Sequence, residues 1–379
     1  MIQSKSNMTK RDFLRLSSVG LCGLCLQGIP FSLLAGNEKK LWKWSKEASF
    51  YHSKDKIVYC ELCPHECILS PGERGFCRNK INVDGKYYTV GYGNPCTANI
   101  DPIEKKPLYH FLPSTRAYSI AVAGCNFRCL NCQNWTISQV QPEETNNLDM
   151  FPEVVVKNSL VNKCESIAYT YSEPNSFYDY MYDTAKLASS KGIKNLYISN
   201  GYINDKPLRR LAKYINAANI NLKTFKNEIY KKLNGGTLAP ILNTLKVLKE
   251  EGVWLEITNL VIPTWTDDFN MIKEMCNWLV ANKLDNCPLH FLKFIPLYKL
   301  THLPITPVST LEKARKIALD AGMKYVYLGN VPGHEGENTF CPECKKQIIK
   351  RKGFYILENN IKNGKCKFCG EKIAGVWGN

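Results

Sequence analysis

The sequence predicts an α/β protein whose main domain, residues 113–333, is a partial barrel of about six β/α units. Two observations support this fold. From residue 118 to residue 331, short apolar runs alternate with helical patterns, and such alternation gives a parallel sheet. The segment is also somewhat shorter than the ~250 residues of a complete eight-unit barrel. We therefore expect an open barrel, with a small cysteine-rich domain before it and a small metal-binding module after it.

Seven apolar runs are the predicted strands of this sheet: residues 118–123, 166–171, 195–199, 217–222, 254–262, 289–295 and 325–328. Gly192 and Gly252 predict the carboxyl ends of helices, and residues 309–312 predict a helix start through a capping box. In barrels of this type the chemistry gathers at the carboxyl ends of the strands. Functional side chains are therefore expected where each run ends.

The composition describes a folded protein with an unusual number of cysteines. Hydrophobic residues make up 44% and charged residues 22% of the 379 residues, as in ordinary globular proteins. The net charge of +16 does not indicate a specific nucleic-acid partner, because the lysines are spread along the chain and lack recognition signatures. Most of the 17 cysteines fall in C-x2-C-type pairs, a spacing that favours metal ligation over disulfide formation.

Residues 1–36 resemble an export signal, because an apolar run follows the basic pair Lys10-Arg11 and ends in two small residues. The pair resembles a twin-arginine signal with lysine in the first position, and that pathway carries proteins already folded around their cofactors. A plain hydrophobic anchor is the alternative, although the polar residues and proline in the run make it a poor membrane span. Residues 37–56 are the predicted linker.

Two cysteine groups flank the predicted barrel, and each is expected to bind a metal. In residues 57–112, a C-x2-C-x3-C-x9-C spacing predicts a site for zinc or an auxiliary iron–sulfur cluster, formed by Cys60, Cys63, Cys67 and Cys77. In residues 334–379, two C-x2-C pairs separated by 21 residues predict a zinc ribbon, formed by Cys341, Cys344, Cys366 and Cys369. A closed four-thiolate site is structural or partner-binding. Disulfides and a rubredoxin-like iron site are the alternatives for the second group.

The most informative stretch directly follows the first predicted strand. Cys125, Cys129 and Cys132 lie within eight residues in a C-x3-C-x2-C spacing, on a loop at a strand's carboxyl end. Three thiolates this close together can hold three irons of a [4Fe–4S] cube, and the fourth iron is then left without a protein ligand. An open metal position is where catalytic sites bind a substrate or cofactor. A three-cysteine zinc site or free thiols are the alternatives.

This spacing resembles the signature loop of the radical S-adenosylmethionine (SAM) superfamily. The resemblance implies that SAM chelates the open iron through its amino and carboxylate groups. It further implies that the reduced cluster cleaves SAM to a 5′-deoxyadenosyl radical. The fold it implies is a partial radical SAM barrel of (β/α)6 type, in agreement with the alternation of apolar runs and helical patterns.

Polar residues at the later strand ends are the predicted partners of SAM. Glu173 precedes Pro174 where the superfamily carries a Gly-Gly-Glu-Pro-like motif, and its carboxylate could accept hydrogen bonds from the amino group. A glutamate in a first helical turn is the alternative. The other predicted contacts are Ser199, Asn200, Gly201, Lys223 and Asn259. Each is a weak signal alone, and their recurrence at successive strand ends is the stronger argument.

Several longer stretches carry a more specific resemblance. They include Cys-Glu-Leu-Cys-Pro-His-Glu-Cys at 60–67, Asp-Pro-Ile-Glu-Lys-Lys-Pro-Leu-Tyr-His at 101–110 and Gly-Asn-Val-Pro-Gly-His at 329–334. Together they resemble the radical SAM enzyme of the AmmeMemoRadiSam system, a group similar to pyruvate formate-lyase activating enzymes. The chain departs from that group at Asn131, at Asn221 and within 292–297, where polar groups near the expected substrate are replaced. These departures affect an inherited substrate more than SAM binding.

Two functions agree with these features. The first is an enzyme that reductively cleaves SAM and abstracts hydrogen from a substrate, which the resemblance to activating enzymes indicates is a protein or peptide. Its expected partners are a one-electron donor of flavodoxin or ferredoxin type and other AmmeMemoRadiSam components. The second is a non-catalytic iron–sulfur or zinc protein that retains the fold. The location stays open, since the leader indicates export or membrane association and SAM chemistry indicates the cytoplasm.

Overall fold

The computed structural model describes residues 42–378, so the predicted leader and the first part of the predicted linker lie outside the described residues. After Trp44 the chain forms two small antiparallel sheets. Their strands are β1 (Lys46–Glu47), β2 (Tyr51–Lys54), β3 (Ile57–Cys60), β4 (Ile68–Leu69), β5 (Lys80–Val83) and β6 (Lys86–Thr89). β1, β6 and β5 pair in that order, and β2, β3 and β4 form the second sheet. Cys60 ends β3, and the other three cysteines of its group lie in the loops on either side of β4.

An eight-stranded sheet follows, and its strands lie side by side in chain order. They are β7 (Thr97–Pro102), β8 (Arg116–Ala121), β9 (Ser166–Tyr169), β10 (Lys194–Ser199), β11 (Ala217–Asn221), β12 (Trp254–Val261), β13 (Leu289–Lys293) and β14 (Val326–Gly329). β8 to β14 are parallel, and β7 runs antiparallel beside β8 at one edge. The predicted α/β fold with a parallel sheet is confirmed, with one parallel strand more than six units would give.

Helices connect the parallel strands and cover the sheet. They are α1 (Trp135–Ser138), α2 (Pro152–Val161), α3 (Tyr178–Ser190), α4 (Asp205–Ala212), α5 (Asn227–Ile229), α6 (Leu238–Glu250), α7 (Phe269–Ala281) and α8 (Val308–Asp320). Short 3-10 helices lie at Ile103–Lys105, Pro142–Glu144, Pro174–Phe177 and Glu335–Glu337, and a π-helix lies at Tyr230–Asn234. Because a parallel sheet is covered on both faces, its strands are nearly continuous apolar runs, and all four residues of β9 are buried.

Two predicted helix ends are confirmed and one predicted start is wrong. Gly192 and Gly252 follow α3 and α6 with φ of +77° and +73°, the left-handed conformation that glycine favours after a helix. The capping box at 309–312 does not form, because α8 already begins at Val308 and its cap, Pro307, makes no side-chain hydrogen bond. The hydroxyl side chains at 309 and 310 therefore fall inside the first turn instead of before it.

A buried polar group lies towards the amino ends of the parallel strands. Glu256 is fully buried and accepts hydrogen bonds from His290 Nε2 at 2.7 Å and from the backbone N–H groups of Tyr109 at 3.0 Å and His110 at 2.8 Å. Burial lowers the pKa of His110 to about 4, so this ring is neutral near pH 7. The group fixes the segment before β8 against the bottom of the sheet.

The carboxyl-terminal module packs on the same end of the sheet. Its strands are β15 (Thr339–Phe340), β16 (Gln347–Lys352), β17 (Tyr355–Asn359), β18 (Ile361–Lys362) and β19 (Lys365–Cys366). Arg351 donates to the backbone oxygen of Tyr109 at 3.0 Å, and His110 Nδ1 contacts the backbone oxygen of Ala374 at 2.6 Å. From Trp44 onward the chain is thus one compact unit. None of the helices in residues 42–378 has the length and hydropathy that a bilayer crossing requires.

Candidate functional site

The three-cysteine loop begins where β8 ends, at the carboxyl edge of the sheet. Val122 and Ala123 are fully buried and lead into Gly124, whose φ is +102°. A Cβ on Gly124 would lie 2.5 Å from the backbone oxygen of Cys77. Glycine is therefore required at this position, both for its backbone conformation and for the close approach of the two segments.

Two of the three thiols of the loop receive a hydrogen bond. The sulfur of Cys125 accepts from the backbone N–H of Phe127 at 3.3 Å, and that of Cys129 accepts from Asn234 Nδ2 at 3.2 Å. The backbone N–H of Asn134 lowers the pKa of Cys132 against the effect of burial. Donors aimed at sulfur stabilise the thiolate, which is the form that binds metal. The donor set therefore fits a [4Fe–4S] cluster held at three of its irons.

The electrostatics of the loop also fit a bound cation or cluster. Burial raises the pKa of Cys125 well above its usual range, and the charges of Glu173 and Cys129 add to the effect. Burial and the charge of Cys129 raise the pKa of Cys132. Three thiolates cannot share this buried space without a positive partner, and an iron–sulfur core supplies one.

A π-helix that the sequence analysis missed holds the loop in place. The backbone N–H of Arg128 donates to Asn234, and that of Leu130 donates to Leu233, at 2.8 and 2.9 Å. Gly236 then passes so close to the Phe127 ring that a Cβ would lie 2.3 Å from it. Single-turn π-helices occur frequently at functional sites. The adjacent glycines at 235 and 236 were the sequence signal of this close backbone approach.

Glu173 joins the ends of β9 and β10. Its carboxylate accepts hydrogen bonds from Ser199 Oγ at 2.6 Å, from the backbone N–H of Asn200 at 2.9 Å and from that of Asn175 at 3.1 Å. The Asn175 bond caps the 3-10 helix that starts at Pro174, so the helix-start role weighed above is present as well. Gly201 completes the group, since its N–H donates to Ser199 Oγ at 3.0 Å.

Burial raises the pKa of the Glu173 carboxyl group. The side chain is 2% exposed, and burial raises its pKa to about 7, although Ser199, the backbone of Asn200 and the charge of Lys223 act in the opposite direction. A carboxylate with this pKa lacks a sufficiently close cationic partner. Asn200 also donates to Asn126 Oδ1 in the loop at 2.8 Å. This hydrogen bond connects the residues around Glu173 to the three-cysteine loop.

Lys223 and Asn259 differ in their placement. Lys223 follows β11 and lies close enough to Glu173 to favour its charged form. Asn259 lies elsewhere, because its amide nitrogen donates to the backbone oxygen of Leu222 at 2.8 Å and contacts the sulfur of Met275 in α7 at 3.8 Å. The structure therefore brings five of the six predicted SAM contacts towards the loop and leaves Asn259 between the sheet and a helix.

The amino-terminal cysteine group lies against the loop. His65 Nε2 bonds to the backbone oxygen of Asn126 over 2.7 Å. The guanidinium of Arg128 lies 3.8 Å from the ring centre of Phe76 and donates to the backbone oxygen of the same residue. The four predicted ligands line one small cavity together with Asn126: they are Cys60, Cys63, Cys67 and Cys77.

The carboxyl-terminal cysteines converge on one point. Their four sulfurs all lie within 4.8 Å of one another, and the ligands are Cys341, Cys344, Cys366 and Cys369. The sulfurs of Cys341 and Cys369 are 3.6 Å apart, and those of Cys344 and Cys366 are 3.8 Å apart. All four are free thiols, so the disulfide alternative is not what this structure contains. A cysteine cluster that could hold a metal ion is therefore present in this module.

Comparisons with known proteins agree with this site. Residues 119–279 match the Radical SAM superfamily. An uncharacterized protein of Methanocaldococcus jannaschii is 47% identical over 331 residues, which cover 86% of this chain and 98% of the relative. The pyruvate formate-lyase 1-activating enzyme of Escherichia coli is 24% identical over 54% of this chain and 89% of its own length.

Among solved structures, a domain of a pyruvate-formate lyase-activating enzyme from Bacteroides vulgatus aligns with a TM-score of 0.39 and 15% identity, over 44% of this chain and 99% of that domain. The superfamily match spans β8 to α7, which includes the three-cysteine loop and the Glu173 group. Membership implies a [4Fe–4S] cluster, SAM and an enzymatic function. The chain therefore contains a radical SAM domain over residues 119–279.

Proposed function

We propose that this protein reductively cleaves SAM at a [4Fe–4S] cluster held by Cys125, Cys129 and Cys132, and abstracts hydrogen from a protein or peptide substrate. The observation that carries the proposal is the connection between two groups at one edge of the sheet. One is a loop of three thiols, two of which receive a hydrogen bond, and the other is the buried carboxylate of Glu173.

The bound cofactors would supply a one-electron reduction and a 5′-deoxyadenosyl radical, which no side chain can provide. The protein's own residues position them. Glu173 accepts a hydrogen bond from the SAM amino group, and its burial makes that bond stronger than it would be in water. Lys223, on the neighbouring strand end, holds the SAM carboxylate. Ser199, Asn200 and Gly201 keep the Glu173 carboxylate in one orientation.

The rim of this edge supports a protein or peptide substrate. Trp135, just beyond the loop, is 42% exposed and stacks on Tyr298 with ring centres 5.4 Å apart. Ile295 and Leu297, close to Tyr298 along the chain, are 45% and 40% exposed. Exposed apolar groups that lie together mark interaction surfaces. The replacements within 292–297 thus exchange polar for apolar contacts at the rim, which fits a different substrate side chain as well as it fits lost catalysis.

The carboxyl-terminal cysteines hold zinc in this proposal. A Zn–S bond of about 2.3 Å in a tetrahedron requires sulfurs about 3.8 Å apart, and the observed separations are 3.6 and 3.8 Å. With four thiolates the ion has no open position, so its role is to fold the module that packs on Tyr109 and His110. The electron comes from a flavodoxin or ferredoxin, and the sequence kinship points to the AmmeMemoRadiSam system.

The test is anaerobic reconstitution of the full chain with iron and sulfide, followed by dithionite and SAM. The proposal predicts 5′-deoxyadenosine as a product, detected by chromatography and mass spectrometry. Replacing Cys276, a buried thiol in α7 outside every cysteine group, should leave the yield unchanged. Protein that carries a complete cluster but forms no 5′-deoxyadenosine would support the non-catalytic alternative instead.

A further inference from the structure

The amino-terminal cysteine cavity has the features of a second metal centre. Its four cysteines surround one space whose remaining walls include Leu62, Phe76 and Tyr87. Cys60 and Cys63 are only 7% and 8% exposed. Four thiols that face one another in a largely apolar cavity serve no packing purpose that aliphatic side chains would not serve better. This arrangement indicates ligation.

The backbone beside the cavity favours a thiolate. The sulfur of Cys67 accepts a hydrogen bond from the N–H of Phe76 at 3.4 Å. N–H donors aimed at sulfur are the contacts that tune iron–sulfur sites and stabilise metal-bound thiolates.

The spacing of the sulfurs separates this site from a zinc site. Among residues 42–378, the four carboxyl-terminal cysteines form the group whose sulfurs all lie within 4.8 Å of one another. The thiols of the radical SAM loop are more widely spaced than this, and so are the four amino-terminal thiols. A cube spreads its thiolates over different irons, whereas zinc draws all four to one ion. In the spacing of its sulfurs, the amino-terminal group therefore resembles the three-cysteine loop and differs from the carboxyl-terminal group.

The cavity and the loop are in direct contact. The backbone oxygen of Cys77 lies where a Cβ of Gly124 would be, and Gly124 immediately precedes Cys125. Asn126, between two loop cysteines, lines the cavity itself. Arg78, next to Cys77, has a buried Nη1 without a hydrogen-bond partner.

We propose that Cys60, Cys63, Cys67 and Cys77 hold a second [4Fe–4S] cluster, and that it lies close enough to the loop cluster for the two to interact magnetically. The chain would then carry two one-electron centres on the carboxyl side of its sheet. This inference goes beyond SAM cleavage and does not require it, because the second site has its own four ligands.

The first test counts iron and inorganic sulfide after anaerobic reconstitution of the full chain. Wild-type protein should contain about eight sulfides, and the Cys125→Ala/Cys129→Ala/Cys132→Ala variant should keep about four irons and four sulfides. Adding Cys60→Ala and Cys63→Ala should remove these. About four sulfides in the wild type, or a triple variant that binds a second equivalent of zinc or no iron at all, would overturn the proposal. The wild-type count decides even where a variant fails to fold.

The second test is electron paramagnetic resonance of the dithionite-reduced protein. The wild-type spectrum should be broader than the sum of the spectra of the triple loop variant and a Cys60→Ser/Cys63→Ser variant, because neighbouring spins interact. A wild-type spectrum equal to that sum would overturn the proximity. Failure of the proposed SAM chemistry is distinguishable, since it would remove 5′-deoxyadenosine and leave the sulfide count of the triple loop variant intact.

Discussion

Two fully buried glutamates at opposite ends of the sheet have opposite pKa shifts. Glu173, at the carboxyl edge, accepts three hydrogen bonds, yet burial raises its pKa to about 7. Glu256, at the amino end, is equally buried, but hydrogen bonds from His290 and from the backbone of Tyr109 overcome the effect of burial and hold its pKa below the usual range. Glu256 thus has a histidine side-chain donor within the protein, whereas Glu173 has room for a further donor that a bound cofactor can supply.

The cysteine groups at the two ends of the sheet also differ from each other. The carboxyl-terminal thiols already lie at zinc-like separations and belong to the end of the sheet where Glu256 is. The loop thiols at the other end are more open, and Asn131 Oδ1 and Asn234 Oδ1 beside them are buried without a hydrogen-bond partner. Unsatisfied buried groups are costly and call for a functional explanation. Arg351 Nε and Ser166 Oγ, towards the other end of the sheet, are also buried without a hydrogen-bond partner, so the contrast between the ends rests on the two glutamates and the cysteine separations.

The largest expected effect comes from comparing cysteine-to-alanine variants at the two ends of the sheet. Replacing Cys129 with alanine removes one iron ligand, so the cluster should be lost and 5′-deoxyadenosine should fall to background. A Cys341→Ala/Cys344→Ala variant should still cleave SAM.

The same double variant should lose one equivalent of zinc, measured by elemental analysis. With free zinc at about a thousand times the Kd, the lost binding corresponds to about 4 kcal/mol of unfolding free energy. Loss of SAM cleavage in a correctly folded double variant would contradict the division between the two ends.

A smaller effect is expected from Glu256→Gln. Removing the charge of a buried carboxylate that accepts hydrogen bonds costs about 1.5–3 kcal/mol, so the urea midpoint should fall, while SAM affinity should not change. Glu358→Gln, on the exposed strand β17, is the matched control and should leave both unchanged. A lower SAM affinity in the Glu256 variant would mean that this carboxylate also serves the cofactor site.

Glu173→Gln should show the converse pattern. The change keeps the shape and removes the charge that faces the SAM amino group, so losing one charge-assisted hydrogen bond should cost about 1.5–3 kcal/mol, or roughly a tenfold to hundredfold weaker complex by calorimetry. Unaltered SAM affinity together with a lower melting temperature would show that Glu173 acts mainly as the cap of the helix at Pro174.

The smallest effect is a pH dependence of opposite sign at the two glutamates. Since the folded pKa of Glu173 lies above the unfolded value of about 4.3, its contribution to stability falls as the pH rises from 4.3 to about 7. The depressed pKa of Glu256 gives stability that is lost only as the pH falls below about 4.3.

Saturating SAM should therefore stabilise the protein more at pH 8 than at pH 6, and Glu173→Gln should flatten this difference in thermal melts. An equal stabilisation of the wild-type protein by SAM at both pH values would mean that the Glu173 carboxylate is not titrated by cofactor binding.

The sequence was sufficient for the sheet because each parallel strand is buried on both faces and reads as one apolar run. All seven predicted runs overlap a strand. The antiparallel β7 was missed, since Ile100 and its neighbours are partly exposed and the run lacks an apolar signal. The boundaries of α8 were misread because a proline cap leaves no side-chain signature.

The candidate site was predictable where ligands are close in sequence and unpredictable where they are not. The cysteine spacings need no tertiary structure, but the contact between Cys77 and Gly124 depends on the packing of two distant segments. Asn259 was chosen because polar residues at strand ends often face the site. Side chains alternate along a strand, and a one-residue error in the alternation turns a side chain to the helical face. Asn259 lies on that face, beside α7.

The most direct test of the central claim is electron paramagnetic resonance of the reduced loop cluster with and without SAM, recorded on a Cys60→Ser/Cys63→Ser variant so that only one cluster contributes. If the fourth iron is open, chelation by SAM must change the spectrum, and the account predicts a clear shift in g values. An unaltered spectrum in protein with a full loop cluster would contradict the account, because SAM would then have no place at the metal.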